Sequence, residues 1–200
     1  HRPDSFARAA HFFDLSDYLT WRATGSLDRS VCTVTCKWTY LAHDNRWDPD
    51  YFQQTGLGVL ADEGFRRIGT NVVAPGTLLG GLTEKAAAEM GLAPATPVAA
   101  ALIDAHAGGV GTLGVSAANQ STDSGNRLAY IFGTSACSMA STADPVFVPG
   151  VWGPYFNAMI PGIWLLEGGQ SAAGAALDRL VALHPDAAML AAEAAGQGQS

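Results

Sequence analysis

The run Pro97-Val98-Ala99-Ala100-Ala101-Leu102-Ile103 constrains this chain more than any other stretch. It is apolar throughout, has the length of a strand, and ends on Asp104. The chain then turns small and glycine-rich through Ala105-His106-Ala107-Gly108-Gly109-Val110-Gly111. A buried strand of this kind belongs in a sheet covered by helices. The glycines let the following segment, Gly108 to Val115, pack as a helix close against that sheet. A carboxylate at the carboxyl end of such a strand stands where open α/β sheets bind ligands. Further on, the strands Leu128–Phe132 and Ala136–Ala140 flank Gly133-Thr134-Ser135. A turn of this composition can hold phosphate with its amides and hydroxyls. A proton acceptor and a phosphate-holding turn are the two halves of a phosphoryl-transfer site.

The remaining pattern alternates helices with strands, which predicts an α/β architecture. Phe12 to Arg22 reads as an amphipathic helix with Phe12, Leu15, Leu19 and Arg22 on its apolar stripe, stopped at Thr24-Gly25. Ser30 to Tyr40 is expected to be helical despite its β-branched residues. Asp48 caps a short helix that has Pro49 at its first position. Leu57 to Arg67 forms another, interrupted at Gly64, and Pro75 to Gly81 reads as loop. Thr83 caps a helix that ends at Gly91. Gly162 to Gly169 is a strand that ends in acid and glycine, and Gln170 to Leu183 is a helix. The polar, turn-rich stretch from Ser116 to Arg127 is read as a domain junction.

Composition narrows the function. With 48% hydrophobic and 14% charged residues the chain can bury a core. Eleven basic against 18 acidic residues, a net charge of −7, argue against nucleic acid as a partner. They leave open a nucleotide held by amides or a local positive group. No apolar run approaches the roughly 18 residues needed to cross a membrane. The three cysteines, Cys32, Cys36 and Cys137, do not suggest a disulfide framework, and zinc would need a further pair of ligands. The first residues, His1-Arg2-Pro3-Asp4, are unlike a signal peptide, and the chain is expected to be a fragment of a longer protein.

Each candidate site residue has a plainer reading beside its functional one. Asp104 can be a helix cap as well as a general base. Gly133-Thr134-Ser135 can be an ordinary hairpin turn. Lys37, beside Trp38 and Tyr40, can be a surface lysine whose stem covers apolar neighbours, or a donor to sugar hydroxyls. Gly168-Gly169-Gln170-Ser171 leads into a helix whose amino terminus favours an anion. His106 is expected to pack or hydrogen-bond, since one histidine and one aspartate are too few to hold a metal. Gly109-Val110-Gly111-Thr112-Leu113-Gly114 spells the dinucleotide fingerprint, but it does not directly follow a strand, which weighs against a nicotinamide oxidoreductase. The Walker pattern is absent, and Ala173 stands where a serine-hydrolase elbow needs glycine.

Four stretches together resemble the FGGY family of carbohydrate kinases, in particular its ribulokinase-like branch. They are Asp14 to Gly25; Cys36-Lys37-Trp38-Thr39-Tyr40 with Trp47-Asp48; Asp104 to Gly108; and Ile131 to Ser135 with Glu167-Gly168-Gly169-Gln170-Ser171. The resemblance implies actin-like, ribonuclease-H-like domains with a site in the cleft between them. Residues 1–118 would be the end of the first, sugar-binding domain and 119–200 the start of the second, nucleotide-binding domain. It implies ATP-dependent phosphorylation of a sugar hydroxyl, most naturally of a ketopentose such as ribulose. Asp104 would be the base and Lys37 the sugar donor. Gly133, Thr134 and Ser135 would hold phosphate, with Gly169 and Gln170 bordering the nucleotide. ATP and Mg²⁺ are the implied cofactors, Mg²⁺ carried by ATP without direct protein ligands and open to Asp104 only through water. The setting would be cytoplasmic, with a homodimer possible. A non-catalytic actin-like module that binds sugar or nucleotide is the alternative.

Overall fold

The computed structural model describes residues 2–114 and 126–198. In chain order its helices are α1 (Pro3–Arg8), α2 (Leu15–Thr24), α3 (Val31–Trp38), α4 (Pro49–Gln54), α5 (Gly58–Asp62), α6 (Glu84–Met90), α7 (Asp104–Gly114), α8 (Gly174–Leu183) and α9 (Ala187–Gly196). The strands are β1 (Arg29–Ser30), β2 (Val72–Val73), β3 (Leu78–Gly81), β4 (Pro97–Ala99), β5 (Leu128–Phe132), β6 (Ala136–Thr142), β7 (Trp152–Phe156) and β8 (Trp164–Gln170). β1 and β2 form a short parallel pair, and β3 and β4 an antiparallel one. β5 to β8 form an antiparallel sheet of order β5-β6-β8-β7. The expected junction at Ser116–Arg127 lies largely outside the described residues.

Local signals built the short helices as the sequence predicts. The Asp48 carboxylate accepts from the Asp50 N–H, with Pro49 opening α4. The Thr83 hydroxyl accepts from the Ala86 N–H at the start of α6, which ends on left-handed Gly91. Gly25, at φ +84°, ends α2 in the same way.

Three expectations are corrected. First, the stripe of α2 faces outward: Leu15 and Leu19 are 70% and 57% exposed, while Asp17, Thr20 and Ala23 are buried. The reason is tertiary. The Asp17 carboxylate accepts from the Ser30 N–H (3.0 Å) and the Thr33 hydroxyl (2.5 Å), capping α3 from another helix. Second, the segment read as loop contains β3, which pairs with β4 across an irregularity between Leu78 and Gly80. Third, the apolar run is a strand only over Pro97–Ala99. Ala100 still exchanges backbone bonds with Gly76 and Thr77. The Ile103 N–H then leaves the ladder and donates to Cys32 Sγ at 3.4 Å. Asp104 is therefore the first residue of α7, not the residue that ends a long buried strand.

Three apolar clusters carry the packing. Val31, Val34, Tyr40, Trp47, Phe52, Leu60 and Ile68 form the first, with the Trp47 indole N–H bonded to the Gly69 carbonyl at 2.9 Å. Ala23, Leu82, Ala86 and Ala87 form the second, between α2 and α6. Ala129, Met139, Met159 and Leu165 form the third, on the sheet, and Cys36, Ala105 and Leu113 pack against it from α3 and α7. α7 lies close on the sheet at Gly108 and Gly109, while Gly111 and Gly114 face open space. A Cβ on Gly108 would stand 3.0 Å from the Ile131 side chain, and one on Gly109 would stand 2.8 Å from Met159 sulfur. The fingerprint-like glycines Gly109, Gly111 and Gly114 thus sit inside a helix, where Gly109 serves close packing. α8 begins at Gly174, later than the predicted Gln170, because Gln170 still pairs with Ala136.

Asp17→Ala should lower unfolding free energy by roughly 2 kcal/mol, since it strands the buried Ser30 N–H, while the Thr33 hydroxyl keeps the Ser30 carbonyl as its acceptor. Urea unfolding followed by circular dichroism measures this, and a loss under about 1 kcal/mol would deny Asp17 its capping role.

Candidate active site

α7 projects Asp104 from its first turn, and the side chain is exposed. Its Oδ1 accepts from the Ala105 N–H at 2.8 Å. The backbone immediately before it is pinned by the Ile103–Cys32 bond. Opposite stands the exposed β5–β6 turn, Gly133-Thr134-Ser135, where the Gly133 N–H donates to the Ser135 carbonyl at 2.8 Å. A cavity of about 390 Å³ lies between Asp104 and Ala105 on one side and Ile131, Phe132, Gly133, Ser135 and Cys137 on the other. The structure therefore brings Asp104 together with Gly133 and Ser135. Thr134 sits at the tip of the same turn.

Gly169 and Gln170 end β8 beside this turn, opposite Cys137 and Ala136. The Trp152 ring covers Gly169 so closely that a Cβ there would be 2.6 Å from it. The Gln170 amide donates to the Ala172 carbonyl. The start of α8 docks on the turn: Ala173 N–H bonds the Thr134 carbonyl (2.8 Å) and Gly174 N–H the Gly133 carbonyl (2.9 Å). This corrects the reading of that helix start as an anion site, because these amides already serve protein carbonyls. Gly174 has no space for a side chain, whose Cβ would lie 2.5 Å from the Gly133 oxygen.

Lys37 lies in the last turn of α3, exposed, and does not line the cavity with Asp104. It is near enough to Glu167 and Cys137 for its charge to favour their ionised forms. Asp104 and Glu167 act on the same Cys137 thiol in the opposite sense. Burial, with the hydrogen bond to Glu167, raises that thiol to about 11. Lys37, Asp104 and Glu167 thus converge electrostatically on one residue of the cavity wall.

Glu167 had no role in the sequence reading beyond being an acid at a strand end. Its Oε1 accepts from the Cys137 thiol at 2.9 Å, and its Oε2 lies 3.4 Å from His106 Nε2. The His106 bond holds this carboxyl below its ordinary range against the opposing effect of burial. His106 is 1% exposed, and its Nδ1 lies 3.1 Å from Cys32 Sγ. It is the hydrogen-bonding histidine expected. The available signal for Glu167 was its position two residues after Leu165, on the inward face of an otherwise apolar strand.

Residues 128–199 match the FGGY family of carbohydrate kinases, C-terminal domain. The chain is 52% identical over 189 residues to an FGGY carbohydrate kinase domain-containing protein of Danio rerio, covering 91% of this chain and 34% of that one. It is 37% identical over 198 residues to a D-ribulokinase of Saccharomyces cerevisiae, covering 87% of this chain and 28% of that one. The xylulose kinase structure from Rhodospirillum rubrum superposes with a TM-score of 0.73 at 23% identity, over 99% of this chain and 36% of that one. The fold is accordingly the actin-like one of these sugar kinases, present in part. The chain spans about a third of the length of the curated relatives it matches. From sequence and order together, residues 128–199 match the C-terminal domain of the FGGY family of carbohydrate kinases, and the chain as a whole is similar to proteins named for that family.

Proposed function

We propose that the protein containing this chain transfers the γ-phosphoryl group of ATP to a hydroxyl of a ketopentose such as ribulose, in the cytoplasm. The carrying observation is that Asp104 and the Gly133–Ser135 turn face each other across one cavity. Relatives named D-ribulokinase and ribulokinase favour a pentulose as the acceptor. Residues 1–118 would contribute the end of a sugar-binding domain and 119–200 the start of a nucleotide-binding one.

Asp104 accepts the proton of the sugar hydroxyl and orients its oxygen for in-line attack. Its exposure suits this, since a base must reach substrate. Gly133, Thr134 and Ser135 hold phosphate oxygens. Gly169 and Gln170 border the nucleotide. Lys37 donates to sugar oxygens. Glu167 accepts from a thiol and a histidine, and its remaining lone pairs are available to a sugar hydroxyl. Among the described residues no three His, Cys, Asp or Glu side chains converge as a metal cage. A magnesium ion would be carried on the phosphates and held largely through water. Bound MgATP supplies the phosphoryl group and offsets its charge.

ADP production by the complete gene product, over a panel of sugars, tests the reading. Sugar-independent or absent turnover would leave a binding module instead. Asp104→Asn should lower kcat by about two to four orders of magnitude while changing sugar KM less than about threefold. Normal turnover in that variant removes Asp104 from its role. Lys37→Met should raise sugar KM about tenfold or more with little change in ATP KM. An unchanged sugar KM makes Lys37 a surface residue. Gly174→Ala forces the start of α8 off the Gly133 carbonyl and should raise ATP KM while sparing sugar KM. The reverse pattern would detach the turn from nucleotide binding.

A further inference from the structure

We propose that His106 is a positioning residue: held by Cys32, it fixes the Glu167 carboxylate in the orientation that presents it to the sugar. The inference rests on the kinase reading for what Glu167 contacts, and on the geometry alone for how Glu167 is held.

The chain of bonds runs from the backbone of one element to the side chain of another. Ile103 N–H donates to Cys32 Sγ (3.4 Å), Cys32 Sγ meets His106 Nδ1 (3.1 Å), and His106 Nε2 meets Glu167 Oε2 (3.4 Å). Burial pushes the Cys32 thiol up to about 12, so it keeps its proton. Its sulfur already accepts from Ile103, so the thiol proton is directed to Nδ1, and the ring carries its own hydrogen on Nε2, toward Glu167. Every polar atom in this buried line then has a partner of the right kind. Cys137 fixes the second carboxylate oxygen from β6. With both oxygens engaged, the plane of the carboxylate is set before substrate arrives, as preorganised binding requires. His106 occupies the second position after Asp104 on α7, so the helix that carries the base also aims the sugar acceptor.

Several groups surround Glu167 and bear on its ionisation. His106 from α7, Cys137 from β6 and Lys37 from α3 act on it directly; Cys32 and Cys36 from α3 and Tyr155 from β7 stand within reach of its charge, and Asp104 from α7 acts on the shared Cys137 thiol. Among the causes acting on Glu167, the His106 bond is the largest. Removing that donor leaves the upward push of burial opposed only by the Cys137 bond and the Lys37 charge.

The test uses the complete gene product with His106→Gln and His106→Asn. The Gln amide reaches about where Nε2 stands and can donate to Glu167; the Asn amide stops near Nδ1. Sugar KM at pH 7 should rise about tenfold in H106N and less than about threefold in H106Q, with ATP KM unchanged in both. The acid limb of kcat/KM should move up by about one pH unit in H106N and return toward the wild-type position in H106Q. Equal kinetic constants and coincident acid limbs for the two variants would overturn the proposal. If no sugar supports turnover, the kinase reading fails separately and thermal unfolding decides the positioning. A depressed carboxyl stabilises the fold above its unfolded value and loses that contribution as pH falls through the folded one. The gap in Tm between H106Q and H106N should therefore narrow as pH falls from about 5.5 to 3.5. A gap constant over that range overturns it.

Discussion

The close approach of α7 to the sheet governs the rest of the structure. Gly108 and Gly109 offer no side chain to Ile131, Met139 and Met159, so the helix axis lies against the β-strands instead of being held off by methyl groups. That contact determines where the first turn of α7 ends, and so where Asp104 stands relative to the β5–β6 turn. It also brings His106 under Glu167 and lets Leu113 and Ala105 join the apolar cluster of the sheet. A bulkier residue at Gly109 would press on Met139 and Met159 and disturb the base and the histidine together, because both belong to one helix.

Much of this was legible locally. The caps at Asp48, Thr83 and Gly91, the proline that opens α4, and the β5–β6 hairpin depend on neighbours a few residues apart, and these formed where the residues indicated. The failures were tertiary. The leucines of α2 look like a core stripe, yet the helix is turned the other way by Asp17, whose partners lie at Ser30 and Thr33. Leu78–Gly81 has the composition of a loop and becomes a strand only because Pro97–Ala99 lies alongside. Asp104 was assigned to a cleft for an incorrect reason, a long buried strand, and reaches the cavity from the start of a helix instead. Glu167 gave little warning, since its partners at 106 and 137 are distant in sequence.

α3 ties the two halves of the described chain. Val31 and Val34 enter the core made by Trp47, Phe52 and Ile68, and Cys36 leans on the cluster of the sheet. The i, i+4 spacing of Cys32 and Cys36, which could suggest a metal pair, places one thiol on a histidine and the other among apolar groups. Burial raises both and keeps them protonated. In this position a thiol works as a compact donor and acceptor.

The docking of α8 on the hairpin has a mechanical consequence. Three backbone bonds, from Ala173, Gly174 and Ala175, join the helix to the carbonyls of Thr134 and Gly133, and the missing side chain at 174 lets them meet without slack. Tip and helix are therefore one lever, with its short arm at the tip and its long arm along the ten residues to Leu183. A tilt imposed at the tip reappears, magnified, at the far end of that arm.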